Sequence, residues 1–201
     1  MVHDTSGRPR LTPKGARTRA RIVEKAAALI HEHGVAATTL DDVKAAAEVS
    51  GSQLYHYFPD KSDLVQAVID FQADTIANHN RQALGSAKGV EAWRNMLITG
   101  VKNSQGIGGC PLGSLGGQLA ENDPEARALI AAGFDQWATT IADGLRTLHA
   151  DGKLPANIDP DDLATTLLAT VQGGLLLAQV QRNTRPFETA IDTVLALILG
   201  R

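Results

Sequence analysis

The sequence predicts an all-α protein, and three observations carry that expectation. Of 201 residues, 43% are hydrophobic but only 4% aromatic, and alanine and leucine outweigh the β-branched and aromatic types that strands favour. Apolar residues recur at three- and four-residue spacing almost throughout, while no segment alternates with the two-residue period of a strand. Between these stretches stands helix punctuation: Gly34, Ser50, Pro59-Asp60, Asp123-Pro124 and Asp159-Pro160.

About nine helices follow. In the first, Ile22, Ala26, Leu29, Ile30 and His33 mark one face and Gly34 supplies the C-terminal stop. Thr38-Thr39 offers an N-cap to a short second helix with Leu40, Val43 and Ala47 inward. Val49-Ser50-Gly51 reads as a tight turn, with Ser50 capping a third helix that must end before Pro59. Asp60 caps a long fourth helix over 61–84, carrying Leu64, Val68, Phe71 and Ile76 inward. Gly85 and Gly89 break it. A fifth helix spans 90–103 with Trp93, Leu97 and Val101, and the glycine-dense QGIGGCPLGSLGG kinks into a short sixth ending near residue 121. Asp123-Pro124 opens a seventh helix that Asp151-Gly152 closes, Asp159-Pro160 opens an eighth reaching residue 182, and Pro186 opens a ninth. The last two are apolar on more than one stripe. Such helices must bury more than one side, and a second copy of the chain is the simplest way to do so.

Charge is unevenly placed. The net charge is −3, yet residues 1–25 hold seven Lys/Arg against two Asp/Glu, including Arg8, Arg10, Lys14 and Arg17. A basic arm ahead of a small helical segment suggests an anionic partner, with nucleic acid first in line. No apolar run approaches the ~20 residues that cross a bilayer, so no membrane partner is expected. The segment MVHDTSGRPRLTPKGARTR lacks the apolar stretch of a secretion signal, and the single cysteine, Cys110, suits a reducing cytoplasm.

Two short helices around a tight turn within about twenty residues follow the helix-turn-helix plan, whose second helix enters the DNA major groove. In that second helix Leu54 and Phe58 share an inward face. Gly51, Ser52, Gln53, Tyr55, His56 and Tyr57 cover the remainder. Small residues at the helix start let the backbone approach a phosphate or base edge, tyrosine and histidine donate to phosphate oxygens, and Lys61 adds a point charge.

The run TTLDDVKAAAEVSGSQLYHYFPDKSDL resembles the DNA-binding half of the TetR family of bacterial transcriptional regulators. The match is dense over 18–65; later, Gly152, Leu154, Ile158-Asp159-Pro160 and Leu163-Ala164 fit the same family more loosely. The resemblance implies a helix-turn-helix domain over 1–60 and a helical ligand-binding and dimerisation domain over 61–201. It implies a homodimer that binds an operator and releases it when a small ligand enters the second domain. It places base reading on Gly51, Ser52 and Tyr55, and phosphate contacts on Thr39, Gln53, His56, Tyr57 and Lys61. Two positions depart from the family. Many members carry lysine where Gly51 stands, and some carry arginine where Asp41 stands, so the basic arm is expected to supply the missing charge.

For the second domain the candidate ligand-binding residues are Trp93, Leu97, Cys110, Leu115, Phe134, Trp137 and Gln172. Apolar and aromatic walls with neutral polar points favour a neutral or hydrophobic ligand. Cys110 at a helix start would have a lowered thiol pKa, and its segment resembles a family branch in which a cysteine senses electrophiles or oxidants; sensing through Cys110 is one alternative function. A helical ligand-binding protein that has lost DNA binding is another. Dimerisation is expected through the eighth and ninth helices, with Leu167, Val171, Gly174 and Leu177 on one side and Ile191, Val194, Leu195 and Ile198 on the other. No enzyme, cofactor or metal is expected. His31 and His33 point to different helix faces, and GIGGC lacks the strand and spacing of a nucleotide loop.

Overall fold

The computed structural model describes residues 11–85 and 88–199. Among them are nine α-helices and no strand: α1 (Pro13–His33), α2 (Leu40–Ala46), α3 (Gly51–Tyr57), α4 (Lys61–Leu84), α5 (Val90–Asn103), α6 (Pro111–Leu119), α7 (Pro124–Ala150), α8 (Pro160–Gln181) and α9 (Arg185–Leu199). The chain divides into two compact units, one ending at Phe71 and the other beginning at Gln72. The division falls inside α4, past the start of that helix at which sequence places the boundary, and α4 is the one helix that contributes to both units.

The first unit is assembled by short-range chemistry. Thr12, Thr39 and Ser50 cap α1, α2 and α3, each accepting a backbone N–H three residues ahead. Asp42 and Gln53 reach back to the N-cap backbone of α2 and α3, completing a capping box at each. Asp60 caps α4 through the Asp63 N–H at 2.9 Å. The core gathers Ile22, Val23, Ala26 and Ile30 of α1, Val43, Leu54 and Phe58, and Leu64, Val68 and Ile69 of α4. His33, expected on the inner face, is exposed; beside Gly34 it closes α1, where the helix dipole favours it. The turn between α2 and α3 differs from expectation. Its left-handed residue is Glu48, at φ 51°, whereas Gly51 is already the first residue of α3.

In the second unit α7 packs on α6 and α8, and α8 on α9. Glycines set the closest approaches. A Cβ at Gly133 would lie 2.9 Å from Ala73 Cβ, and one at Gly144 2.9 Å from Leu84 Cβ, so α7 touches α4 at two points three turns apart. A Cβ at Gly174 would meet Phe187 Cδ2 at 2.9 Å, bringing α8 against α9.

Helix α8 corrects two expectations. Its 22 residues include a window of mean hydropathy 1.5, long and apolar enough to span a bilayer, although only a third of that window is buried. Its apolar character is divided between two faces. Leu167, Val171 and Gly174 are buried within the protomer, as are Ile191, Leu195 and Ile198 of α9, so these residues face the chain's own helices and not an outer surface. The outward apolar residues are Leu176, Leu177 and Val180 of α8 with Leu197 of α9.

Candidate functional site

Helix α3 presents two chemically distinct faces. Leu54 and Phe58 are buried, which fixes the helix in the first unit, and the Arg19 guanidinium stacks 5.0 Å above the Phe58 ring. The opposite face is polar and open. Ser52, Gln53, Tyr55 and His56 are exposed, Tyr55 to 57%. An exposed tyrosine of that size on a helix anchored from behind is free to lay its ring and hydroxyl on a partner.

The other residues expected at the interface lie on α3 and the elements beside it. Gly51 has no atom within 4 Å of where a side chain would begin, so the start of α3 is open. The Ser52 hydroxyl lies 3.0 Å from that of Ser50, and the Gln53 side-chain carbonyl accepts the Ser50 N–H at 3.0 Å. His56 meets Tyr57 edge-on, with centroids 5.0 Å apart. Tyr57 is half-buried, its hydroxyl 3.2 Å from the Cβ position of Gly15 on α1, which turns it inward relative to Tyr55. Lys61 directs its ammonium to the Ala36 carbonyl at 3.4 Å, a long contact that leaves most of its charge uncompensated. Lys14 and Arg17 are exposed on the first turns of α1; Arg8 and Arg10 lie outside the described residues.

The two acidic residues of α2 have structural partners. Thr39 donates its hydroxyl to Asp42 at 2.6 Å and its backbone N–H at 2.9 Å, and these bonds hold the Asp42 carboxyl below the usual carboxylate range. Asp41 pairs with Lys44 at 2.5 Å, and that bond raises the lysine above its ordinary value. Thr39 is therefore occupied as a cap on one side, and Asp41 and Asp42 serve α2 itself.

In the second unit, Trp93, Cys110, Leu115 and Trp137 are buried, and Leu97, Phe134 and Gln172 half-buried. Cys110 and Gln172 are brought together: the thiol, at the N-cap of α6, accepts the Gly113 N–H at 3.3 Å and a Gln172 amide hydrogen at 3.4 Å. Burial pushes the thiol pKa up, against the smaller opposing pull of those two donors. The lowered pKa expected from the helix start is thus overturned by desolvation. The glycine-dense segment earns its composition here. A Cβ at Gly109 (φ 64°) would lie 2.5 Å from Gln179 Oε1, and one at Gly113 2.6 Å from Gln172 Oε1.

Trp93 is tied to a residue the sequence reading passed over. Its indole N–H donates to Asn80 Oδ1 at 2.5 Å, and the Asn80 amide donates to the Ile76 carbonyl at 2.7 Å. Asn80 is 2% exposed, a polar residue in the inward register of Ile76 and Leu84; that misplacement in the helical pattern was the available signal. Trp137 differs. It is 3% exposed, and its indole N–H has no hydrogen-bond partner among the described residues.

Residues 22–68 match the model of bacterial regulatory proteins of the tetR family, and residues 76–194 match the tetracyclin repressor-like C-terminal domain. An HTH-type transcriptional regulator of Mycobacterium tuberculosis is 28% identical, covering 90% of this chain and 94% of its own. The HTH-type transcriptional repressor DhaR of Mycobacterium sp. strain GP1 is 27% identical, covering 90% and 92%. Among solved structures, SmeT of Stenotrophomonas maltophilia in complex with triclosan superposes with a TM-score of 0.70 at 25% identity, covering 91% and 92%. With both of its units matched and an anchored, outward-facing α3, the chain belongs to the TetR family of DNA-binding transcriptional regulators.

Proposed function

We propose that the chain acts in the cytoplasm as a homodimeric repressor, held on a palindromic operator through α3 and released by a small, neutral or apolar molecule bound in the second unit. The observation that carries this reading is the divided chemistry of α3. Leu54 and Phe58 anchor it, while Ser52, Tyr55 and His56 face outward. In that reading Gly51, Ser52 and Tyr55 approach base edges, and Thr39, Gln53, His56, Tyr57 and Lys61 approach phosphates. The outer apolar face of Leu176, Leu177, Val180 and Leu197 supports a second copy as the partner of α8 and α9.

Trp137 supports the effector reading. A buried N–H without a partner costs about 1–3 kcal/mol, and an acceptor on a ligand among α5–α8 would recover that cost. The related SmeT binds triclosan, and DhaR is a repressor. Helix α4 is the element to carry the signal, since it starts at Lys61, four residues beyond α3, and continues into the second unit. Sensing through Cys110 finds less support, because a buried thiol of raised pKa holds little thiolate.

The test is a gel shift on the DNA upstream of the protein's own gene, repeated at rising salt. A specific shift that weakens steeply with salt is expected. Tyr55→Ala should reduce operator affinity by roughly tenfold or more, the effect of losing a base or backbone contact, without altering the melting curve. A wild-type protein that produces no specific shift sinks the operator reading, and undiminished binding by the variant removes Tyr55 from it.

A further inference from the structure

Helices α2 and α3 together carry one Lys or Arg, Lys44, against two carboxylates, Asp41 and Asp42. For a pair of helices that meets a polyanion this is a sparse supply of charge, since each neutralised phosphate needs a cation. Asp42 is committed to the capping box at Thr39. What remains is the pair Asp41–Lys44.

The pair lies on the open side of α2. Val43 and Ala47 are buried and face the core of the first unit, whereas Asp41 is 85% exposed and Lys44 half-buried. A half-buried lysine lays its stem on the protein and keeps its ammonium in water. Asp41, at 2.5 Å, is the main influence on that ammonium, and Tyr55 is the next side chain to act on it electrostatically; both raise the lysine above its ordinary value. Lys44 is therefore within electrostatic reach of the exposed face of α3. An ammonium carries three N–H donors, and Asp41 takes one of them. An ion pair this exposed contributes little to stability, so a phosphate that competes for the lysine breaks it at small cost.

We propose that Lys44 is a further phosphate contact of the operator interface, and that Asp41 is its counter-ion in the free protein, which the DNA backbone displaces. Asp41 sets the strength of the contact: it occupies the lysine before DNA arrives and repels the phosphate afterwards. The inference rests on the operator reading of α3. Were the pair only a tie within α2, DNA binding would not depend on it.

The test is binding of the full chain, by fluorescence anisotropy over a range of salt concentrations, to two duplexes: the DNA upstream of its own gene and a scrambled sequence of equal length. Lys44→Gln should weaken binding by roughly tenfold on both duplexes and reduce the salt slope by about 1, the signature of a lost phosphate contact. Asp41→Asn should strengthen binding to both by roughly threefold or more, as removal of a repelling charge beside the backbone does. Such a gain cannot arise from misfolding. In the Asp41→Asn background Lys44→Gln should cost more than in the wild type, because no counter-ion then competes for the lysine. Unchanged affinity and slope in Lys44→Gln, or unchanged or weaker binding by Asp41→Asn, would overturn the proposal. So would an effect of Lys44→Gln on the operator duplex alone, which marks a base contact, or strictly additive effects of the two substitutions. With a wild type that prefers its own upstream DNA, any of these failures leaves the operator reading standing. A wild type that binds both duplexes equally ends the operator reading while the variants still test the phosphate contact, and one that binds neither ends both.

Discussion

The two units of this regulator solve the same problem, satisfying polar groups around a helical core, over different distances. In the first unit the side-chain hydrogen bonds that cap the helices span three residues, Thr12 to Gly15, Thr39 to Asp42, Ser50 to Gln53 and Asp60 to Asp63, and the longer reach of Lys61 to the Ala36 carbonyl is the exception. In the second unit the ties cross the chain. Gln136 donates to Asp74, Gln172 to Cys110, and Arg94 to Asp192, over separations of 62, 62 and 98 residues. Local bonds finish each helix end without consuming its outer face, which leaves α3 free for a partner. Long-range bonds fix helices against one another, as a closely packed helical unit requires.

The largest effect should come from removing the anchor of α3. Phe58 is fully buried, so Phe58→Ala should cost about 3–5 kcal/mol, much of what a unit this small has to spare. Both tryptophans lie in the second unit, so tryptophan fluorescence follows that unit alone while circular dichroism follows both. The expected outcome is an early dichroism phase in denaturant, an unmoved fluorescence midpoint and loss of the operator shift. A single transition that moves equally by both probes would show that the units unfold as one.

A smaller effect, confined to the second unit, is expected at the α8–α9 seam. A Cβ at Gly174 would lie 2.9 Å from Phe187 Cδ2 and 3.2 Å from its Cα, and backbone cannot give way as a side-chain tip can. Gly174→Leu should therefore cost about 1–3 kcal/mol by overpacking and lower the fluorescence midpoint. The neighbouring Gly173 has nothing within 4 Å, so Gly173→Ala should be neutral or stabilising by up to about 1 kcal/mol. Equal midpoints for the two variants would mean that the seam is loose.

The same contrast of distances explains what could be read in the sequence. Caps at Thr39, Ser50, Asp60, Asp123 and Asp159 were legible because a cap and its target lie within one turn. The inward pair Leu54 and Phe58 was legible for the same reason. The turn was misplaced because its left-handed position belongs to Glu48, a residue type that does not announce it. Of the α8 residues expected on an outer face, Leu167, Val171 and Gly174 are buried and Leu177 is outward, because a helix apolar on two sides carries no mark of which side meets its own chain. The glycines at 109 and 113 were visible, but the glutamines of α8 that they meet, 70 and 59 residues on, were not. Cys110 shows the energetic side of this limit: its helix-start position was readable, and the burial that reverses its pKa shift was not.

The smallest expected effect tests whether a long-range tie of the second unit adds stability or only geometry. The hydrogen bond from Arg94 holds the Asp192 carboxyl below its ordinary value of 3.8. A carboxyl whose folded pKa is depressed stabilises the fold at pH values above the unfolded pKa, and that stabilisation is lost as pH falls through the folded pKa. The two side chains are 35% and 45% exposed, so solvent screening limits the pair to roughly 0.2–1 kcal/mol. Asp192→Asn should therefore lower the fluorescence-monitored stability slightly at neutral pH, and the gap to wild type should close in acid once the native carboxylate is itself protonated. A gap that persists unchanged in acid would assign the effect of the substitution to lost hydrogen-bond geometry at Arg94. A gap absent at every pH would mean that the cross-chain tie positions α5 on α9 without stabilising either, leaving packing at seams such as Gly174–Phe187 to hold the second unit together.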